Sequence, residues 1–140
     1  MSTGETSRTR HIIDDVLSPI LIVDDDADIR AALQHVLESA GYSTIQAADG
    51  REALTTARRQ PPGLVLLDLM MPVMDGFSFM EACHHEQLCD DVPIVVISAV
   101  HDALERISAV PVHACIAKPF DLDDLVRTVG QFASPNGQVT

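Results

Sequence analysis

Basic residues are scarce in this chain. Nine lysines and arginines stand against 21 aspartates and glutamates, a formal net charge of −12. The average surface repels a phosphate backbone, which disfavours direct nucleic-acid binding. Cysteine is sparse too. Cys83, Cys89 and Cys115 are an odd number, unlike the framework of a small secreted domain, and favour a reducing compartment. No apolar run approaches the roughly 18 residues that a bilayer-spanning helix needs. Near the N-terminus, Asp14 and Asp15 split the only candidate for the apolar part of a leader. A cytoplasmic protein with no membrane segment is therefore expected. Nucleotide signatures are also missing. No glycine-rich turn follows the first apolar run, and there is no P-loop lysine motif.

What remains is the composition of one globular domain, 46% hydrophobic and 21% charged over 140 residues. Residues 1–17 read as a flexible polar extension, with a short helical turn over 11–17. Residues 18–133 read as the folded domain and 134–140 as a polar tail. Within the domain, strand-length apolar runs occur at Ile20–Val23, Thr44–Ala47, Leu64–Leu67, Ile94–Ile97 and, more weakly, Val112–Ala117. Segments of helical period separate them. The first runs from Ile29 to Ala40 and stops at Gly41. The next two start at Asp49-Gly50 and Asp75-Gly76, and a short one covers about 102–109. The last starts at Asp121 and buries Leu122, Leu125, Val126 and Val129. Five near-continuous apolar strands alternating with helices predict an open, doubly wound parallel α/β sheet covered on both faces. Ligands of such sheets collect at the carboxyl ends of the strands.

The residues after the strands are therefore the ones to inspect. The first strand runs into Asp24-Asp25-Asp26, the third into Asp68, the fourth into Ser98-Ala99 and the fifth into Lys118-Pro119. The second ends in Ala47-Ala48 and offers nothing reactive. Taken singly, each acid is a plausible helix cap, Ser98 a cap or loop hydroxyl, and Lys118 a solvated amine. Together they are harder to dismiss. A cap needs one acid where the first strand supplies three, and Asp75 is already available to cap the helix after Asp68.

Two carboxylates about 4 Å apart repel by roughly 4 kcal/mol at an effective dielectric of 20. A cluster of Asp24, Asp25 and Asp68 would therefore bind protons or a hard divalent cation. Mg²⁺ suits it, because it takes oxygen ligands and commonly bridges carboxylates to phosphate oxygens. With its charge drawn off in this way, Asp68 can attack phosphorus and form an acyl phosphate. Lys118 would neutralise phosphoryl charge, and the Ser98 hydroxyl could donate to a phosphoryl oxygen.

The stretches LIVDDDADIR, LVLLDLMMPVMDG, VVISA and IAKPF, in that order and spacing over residues 18–133, resemble the receiver domain of two-component response regulators, the CheY-like family. The resemblance implies strand order 2-1-3-4-5 with five helices. It makes Asp24 and Asp25 the metal-side acids, Asp68 the phosphoacceptor, and Ser98 and Lys118 the signalling hydroxyl and amine. It adds a backbone carbonyl, that of Met70, to the Mg²⁺ ligands, and a cis bond between Lys118 and Pro119. The implied activity is Mg²⁺-dependent uptake of a phosphoryl group from a sensor histidine kinase or histidine phosphotransfer protein, followed by hydrolysis. The chain would be a phosphoprotein catalysing its own modification, not a conventional enzyme. Phosphorylation would shift a pre-existing equilibrium and act on a partner protein, as a monomer or a phosphorylation-dependent dimer. A phosphorelay intermediate and a phosphorylation-independent docking module are the alternatives on the same fold.

Several positions depart from the family pattern. Cys115, three residues before Lys118, stands where the family usually has an aromatic, and reads as a small buried apolar residue. The segment from Ser98 to Lys118 is slightly short and carries Pro111. Met70 and Val100, each two residues beyond a site residue, put apolar side chains on the route of the attacking water. A dehalogenase-type phosphatase would want an acid at Met70. Cys83, His84, His85 and Cys89 match no standard zinc spacing.

Overall fold

A computed structural model of the chain describes residues 18–71, 73–88, 90–98, 112 and 114–133. The strands are β1 (Ile20–Val23), β2 (Thr44–Ala47), β3 (Leu64–Asp68), β4 (Ile94–Ser98) and β5 (Ala114–Ala117). All pair in parallel in one sheet of order β2-β1-β3-β4-β5. The described helices are α1 (Ala27–Ser39), α2 (Gly50–Arg59), α3 (Gly76–His85) and α4 (Leu122–Gly130). The helix expected over about 102–109 and the turn over 11–17 lie outside the described residues. Among the described residues, no helix is long and apolar enough to cross a membrane.

Strand alternation divides the core in two. Leu21, Val23, Val65, Leu67 and Val96 pack on one face against Ala53 and Leu54 of α2 and Phe79 and Met80 of α3. Ile20, Ile22, Leu66, Val95 and Ile97 pack on the other against Leu33 and Leu37 of α1 and Leu125 and Val129 of α4. Every residue of β1, β3 and β4 is buried. That explains their unbroken apolar sequences, because a central parallel strand is covered on both faces. The edge strands β2 and β5 are only partly covered and read more weakly.

Each described helix begins on an aspartate. Asp26, Asp49, Asp75 and Asp121 accept hydrogen bonds from backbone N–H groups in the first turns of α1 to α4, which satisfies donors that the helix itself cannot. α1 ends in a Schellman turn, with Tyr42 N–H donating to Leu37 O and Gly41 N–H to Glu38 O. Gly41 takes φ 101° there, which a residue without Cβ tolerates. A bidentate pair between Arg58 and Glu86, at 2.8 and 2.7 Å, ties the end of α2 to the end of α3.

Two side chains differ from their sequence readings. Leu122 is exposed, since it opens α4 and sits in the first turn, away from the stripe of Leu125 and Val129. Cys115 is exposed rather than buried, because it lies on an edge strand whose residues alternate between half-buried and exposed. Cys83, by contrast, is buried in the core cluster of α3.

Gly76 shows how closely the core approaches the end of β3. Its N–H donates to Leu69 O at 3.0 Å, and a Cβ there would stand 2.6 Å from Asp68 O and 2.8 Å from Leu69 Cα. Backbone atoms cannot step aside as a flexible side chain would. Gly76→Ala should therefore destabilise the protein by about 1–3 kcal/mol, the usual cost of overpacking, seen as a lower urea midpoint. An unchanged midpoint would show that the junction of β3 and α3 has slack.

Candidate functional site

The strand ends converge as the sequence pattern requires. β1 and β3 are neighbours, with Val23 opposite Leu67, so Asp24 and Asp68 leave the sheet side by side. Asp68 is itself the last residue of β3 and Ser98 the last of β4, in register with Ile97 and Ala117 respectively. Lys118 follows β5 directly, and its N–H donates to Ser98 O at 2.9 Å. The Lys118–Pro119 bond is cis, as the resemblance implies.

Asp24 and Asp68 are buried, with 1% and 4% of their surface exposed, and Asp25 faces solvent. One carboxylate oxygen from each of the three lies within 4.8 Å of the others. Lys118 Nζ stands between the two buried acids, 3.2 Å from Asp24 Oδ2 and 3.2 Å from Asp68 Oδ2. The remaining oxygens are also held. Asp24 Oδ1 accepts from Asp26 N–H at 2.9 Å, and Asp68 Oδ1 accepts from Met70 N–H at 3.0 Å. Of the acidic triplet, then, Asp26 is the helix cap, Asp24 is turned into the site, and Asp25 stands at its solvent side.

The electrostatics follow from this crowding. Burial pushes the Asp68 carboxyl above its ordinary value of 3.8; Asp24 adds to the shift, and the Met70 N–H and Lys118 oppose it. Burial alone would lower the Lys118 amine. The charges of Asp68 and Asp24 outweigh it and hold the amine above its ordinary value, so it stays protonated. Three carboxyl groups gather around one ammonium at this edge of the sheet. Clustered hard oxygens fit a divalent cation of the Mg²⁺ type. Ser98 is buried beside them at the end of β4. Met70, whose amide holds Asp68, keeps its side chain 54% exposed.

Every site residue expected from the sequence falls at this edge, while Val100 lies outside the described residues. One contact was not foreseen. The Arg30 guanidinium, one turn into α1, donates from Nη1 to Asp24 O at 2.7 Å and from Nε to Gln46 Oε1 at 3.1 Å. β2, expected to bring nothing to the site, thus contributes Gln46 behind it. The only sequence signal is a basic residue four positions after the capping Asp26.

The model of the response regulator receiver domain matches residues 20–130. Among curated proteins, the chain is 42% identical over 115 residues to the probable transcriptional regulator ycf27 of Porphyridium aerugineum, covering 79% of this chain and 47% of that protein. It is 38% identical over 117 residues to the transcriptional regulatory protein PrrA of Mycobacterium tuberculosis, covering 81% and 49%. The chain thus spans about half the length of the curated relatives it matches. Among solved structures, the chemotaxis response regulator CheY4 of Vibrio cholerae superposes with a TM-score of 0.77 at 32% identity, covering 83% of this chain and 98% of that one. The response regulator TrrA of Thermotoga maritima, solved in complex with Mg²⁺-BeF, gives 0.73 at 28% identity, covering 82% and 98%.

The raised Asp68 pKa has a definite sign for stability. The folded state holds this proton more tightly than the unfolded chain does. Its contribution is therefore present below pH 3.8 and lost as pH rises through the folded pKa. In metal-free buffer Asp68→Asn should be more stable than wild type at neutral pH, and the difference should close below about pH 4. Urea midpoints across that range check it. A variant less stable than wild type at neutral pH would mean that the Lys118 contact outweighs burial and repulsion.

Proposed function

The chain belongs to the response regulator receiver family, and from that premise we propose that Asp68 accepts a phosphoryl group from a histidine kinase or phosphotransfer protein. The observation that carries this reading is the placement of Asp68: a buried carboxylate, short of solvation, with Lys118 3.2 Å away and two further acids within 4.8 Å. An Asp68 oxygen attacks phosphorus, the new oxygen–phosphorus bond forms as the donor's phosphorus–nitrogen bond breaks, and the departing imidazole keeps the electron pair. Bound at Asp24, Asp25 and Asp68, Mg²⁺ would supply charge neutralisation between carboxylate and phosphoryl oxygens.

The chain's own groups do the rest. Lys118 is within reach of charge building on the phosphoryl oxygens, and the amide of Met70 fixes the orientation of the carboxylate. The Ser98 hydroxyl, at the next strand end, donates to a phosphoryl oxygen once it arrives. The phosphorylated form acts on a partner protein in the cytoplasm. The curated relatives are named transcriptional regulators, and that activity belongs to their full length.

Intact-protein mass after incubation with Mg²⁺ and acetyl phosphate tests the reading, beside an Asp68→Asn control. One phosphoryl adduct that needs the metal and is absent from the control is expected. No adduct from folded protein, with small donors and with histidine kinases alike, would overturn it in favour of a docking module. The lifetime of that adduct tests the exposed Met70 side chain, which screens the acyl phosphate from water. Met70→Asn should shorten its half-life several-fold, followed by mass over time. An unchanged half-life would remove Met70 from the path of the water.

A further inference from the structure

The acidic loop is tethered from outside the site. Arg30 Nη1 takes the carbonyl of Asp24, and its Nε is held by Gln46 Oε1. Gln46 Nε2 donates to Gln34 Oε1, Gln34 Nε2 donates to Glu38 Oε2 at 3.3 Å, and Thr44 Oγ1 reaches the same oxygen at 2.8 Å. A continuous row of polar side chains thus runs along the seam between α1 and the edge strand β2. It ends on one peptide oxygen beside the acidic cluster.

That oxygen belongs to the peptide unit joining Asp24 to Asp25. Fixing the plane of this unit fixes the direction in which both residues leave the backbone, because only φ and ψ on either side remain to turn. Asp24 N–H is already committed to Ala47 O at 3.2 Å, and Asp24 Oδ1 to Asp26 N–H. The guanidinium bond completes the set on the carbonyl side. Asp25 is solvent-facing and, among the described residues, its side chain makes no hydrogen bond or ion pair, so the peptide plane sets its position.

We propose that Arg30, oriented by Gln46, is a positioning residue that sets the spacing of Asp24 and Asp25 for the divalent cation. This rests on the reading of Asp24, Asp25 and Asp68 as a cation site. A competing role gives the opposite sign. If Arg30 were only a counter-charge to Asp24, Asp25, Asp26 and Asp28, removing it would strengthen cation binding. If it holds the loop, removing it weakens binding, as the loss of groups that orient metal ligands does, typically 10–100-fold.

Calorimetric titration of the metal-free protein with MgCl₂ separates these. Arg30→Gln should raise the dissociation constant roughly tenfold, while phosphorylation by acetyl phosphate at saturating Mg²⁺ returns close to the wild-type rate. A merely structural role would not produce that split. Gln46→Leu leaves the formal charge unchanged and should weaken Mg²⁺ in the same direction by less. It decides the matter should Arg30→Gln fail to fold. Unchanged or tighter binding in the folded variants overturns the inference and leaves the phosphoacceptor reading intact. Wild-type protein with no saturable Mg²⁺ binding overturns the cation site and this inference together.

Discussion

A single ammonium group between two buried carboxylates is the contact on which the rest of this structure turns. Lys118 Nζ lies 3.2 Å from both Asp24 and Asp68, and each of the three residues follows or ends a different strand. The contact exists only if β1 and β3 are neighbours in register, and only if β5 comes in beyond β4 on the same edge. A slip of one residue in β3 would turn Asp68 to the other face of the sheet. It would also drive an apolar neighbour into the charged corner. The hydrophobic register of the central strands and the geometry of the charged site are therefore one constraint.

The site is held under opposing demands. Burial penalises the Asp68 carboxylate and Asp24 repels it, while Lys118 and the Met70 amide offset part of the penalty. Fully apolar residues would pack such a corner at lower cost. The chain keeps the charges, and the neighbouring backbone has no room to relax around them. Gly76 lies against Asp68 O on one side, and Gly50 N–H donates to Met74 O at 2.9 Å on the other. Val73, in the same loop, is held at φ 70°, a left-handed conformation that costs a β-branched residue about 1–2 kcal/mol. Strain of that kind persists where surrounding structure fixes the backbone. The loop after Asp68 is fixed in this way from both ends.

The sheet was legible in the sequence because its three central strands are buried on both faces and appear as uninterrupted apolar runs. The site was legible because parallel strands bring their carboxyl ends to one edge. An Asp after Leu67, a Ser after Ile97 and a Lys after Ala117 must then meet. Individual roles within the acidic triplet were not readable. Asp24, Asp25 and Asp26 are chemically identical, and only the turn they make decides that Asp26 caps and Asp24 points inward. Edge strands misled for a related reason. Cys115 looks like a core residue in a one-dimensional pattern, yet β5 has a neighbour on one side only. Arg30 was invisible as a site residue because its partners, Gln46 and the Asp24 carbonyl, lie on other elements.

The same contact also suggests how a phosphoryl group on Asp68 would be felt elsewhere. A phosphoryl group brings close to two negative charges where the carboxylate had one, and Lys118 is the cation already in contact with Asp68. Drawn toward the phosphoryl oxygens, Lys118 would loosen its hold on Asp24. Its backbone cannot follow freely, because its N–H is bonded to Ser98 O at 2.9 Å. The ends of β4 and β5 are thus tied to each other by the very residue that senses the new charge. Ser98 occupies the β4 side of that tie through its backbone carbonyl. Charge arriving at β3 would therefore bear on the junction of β4 and β5 through Lys118, which touches Asp68 with its ammonium and Ser98 with its amide.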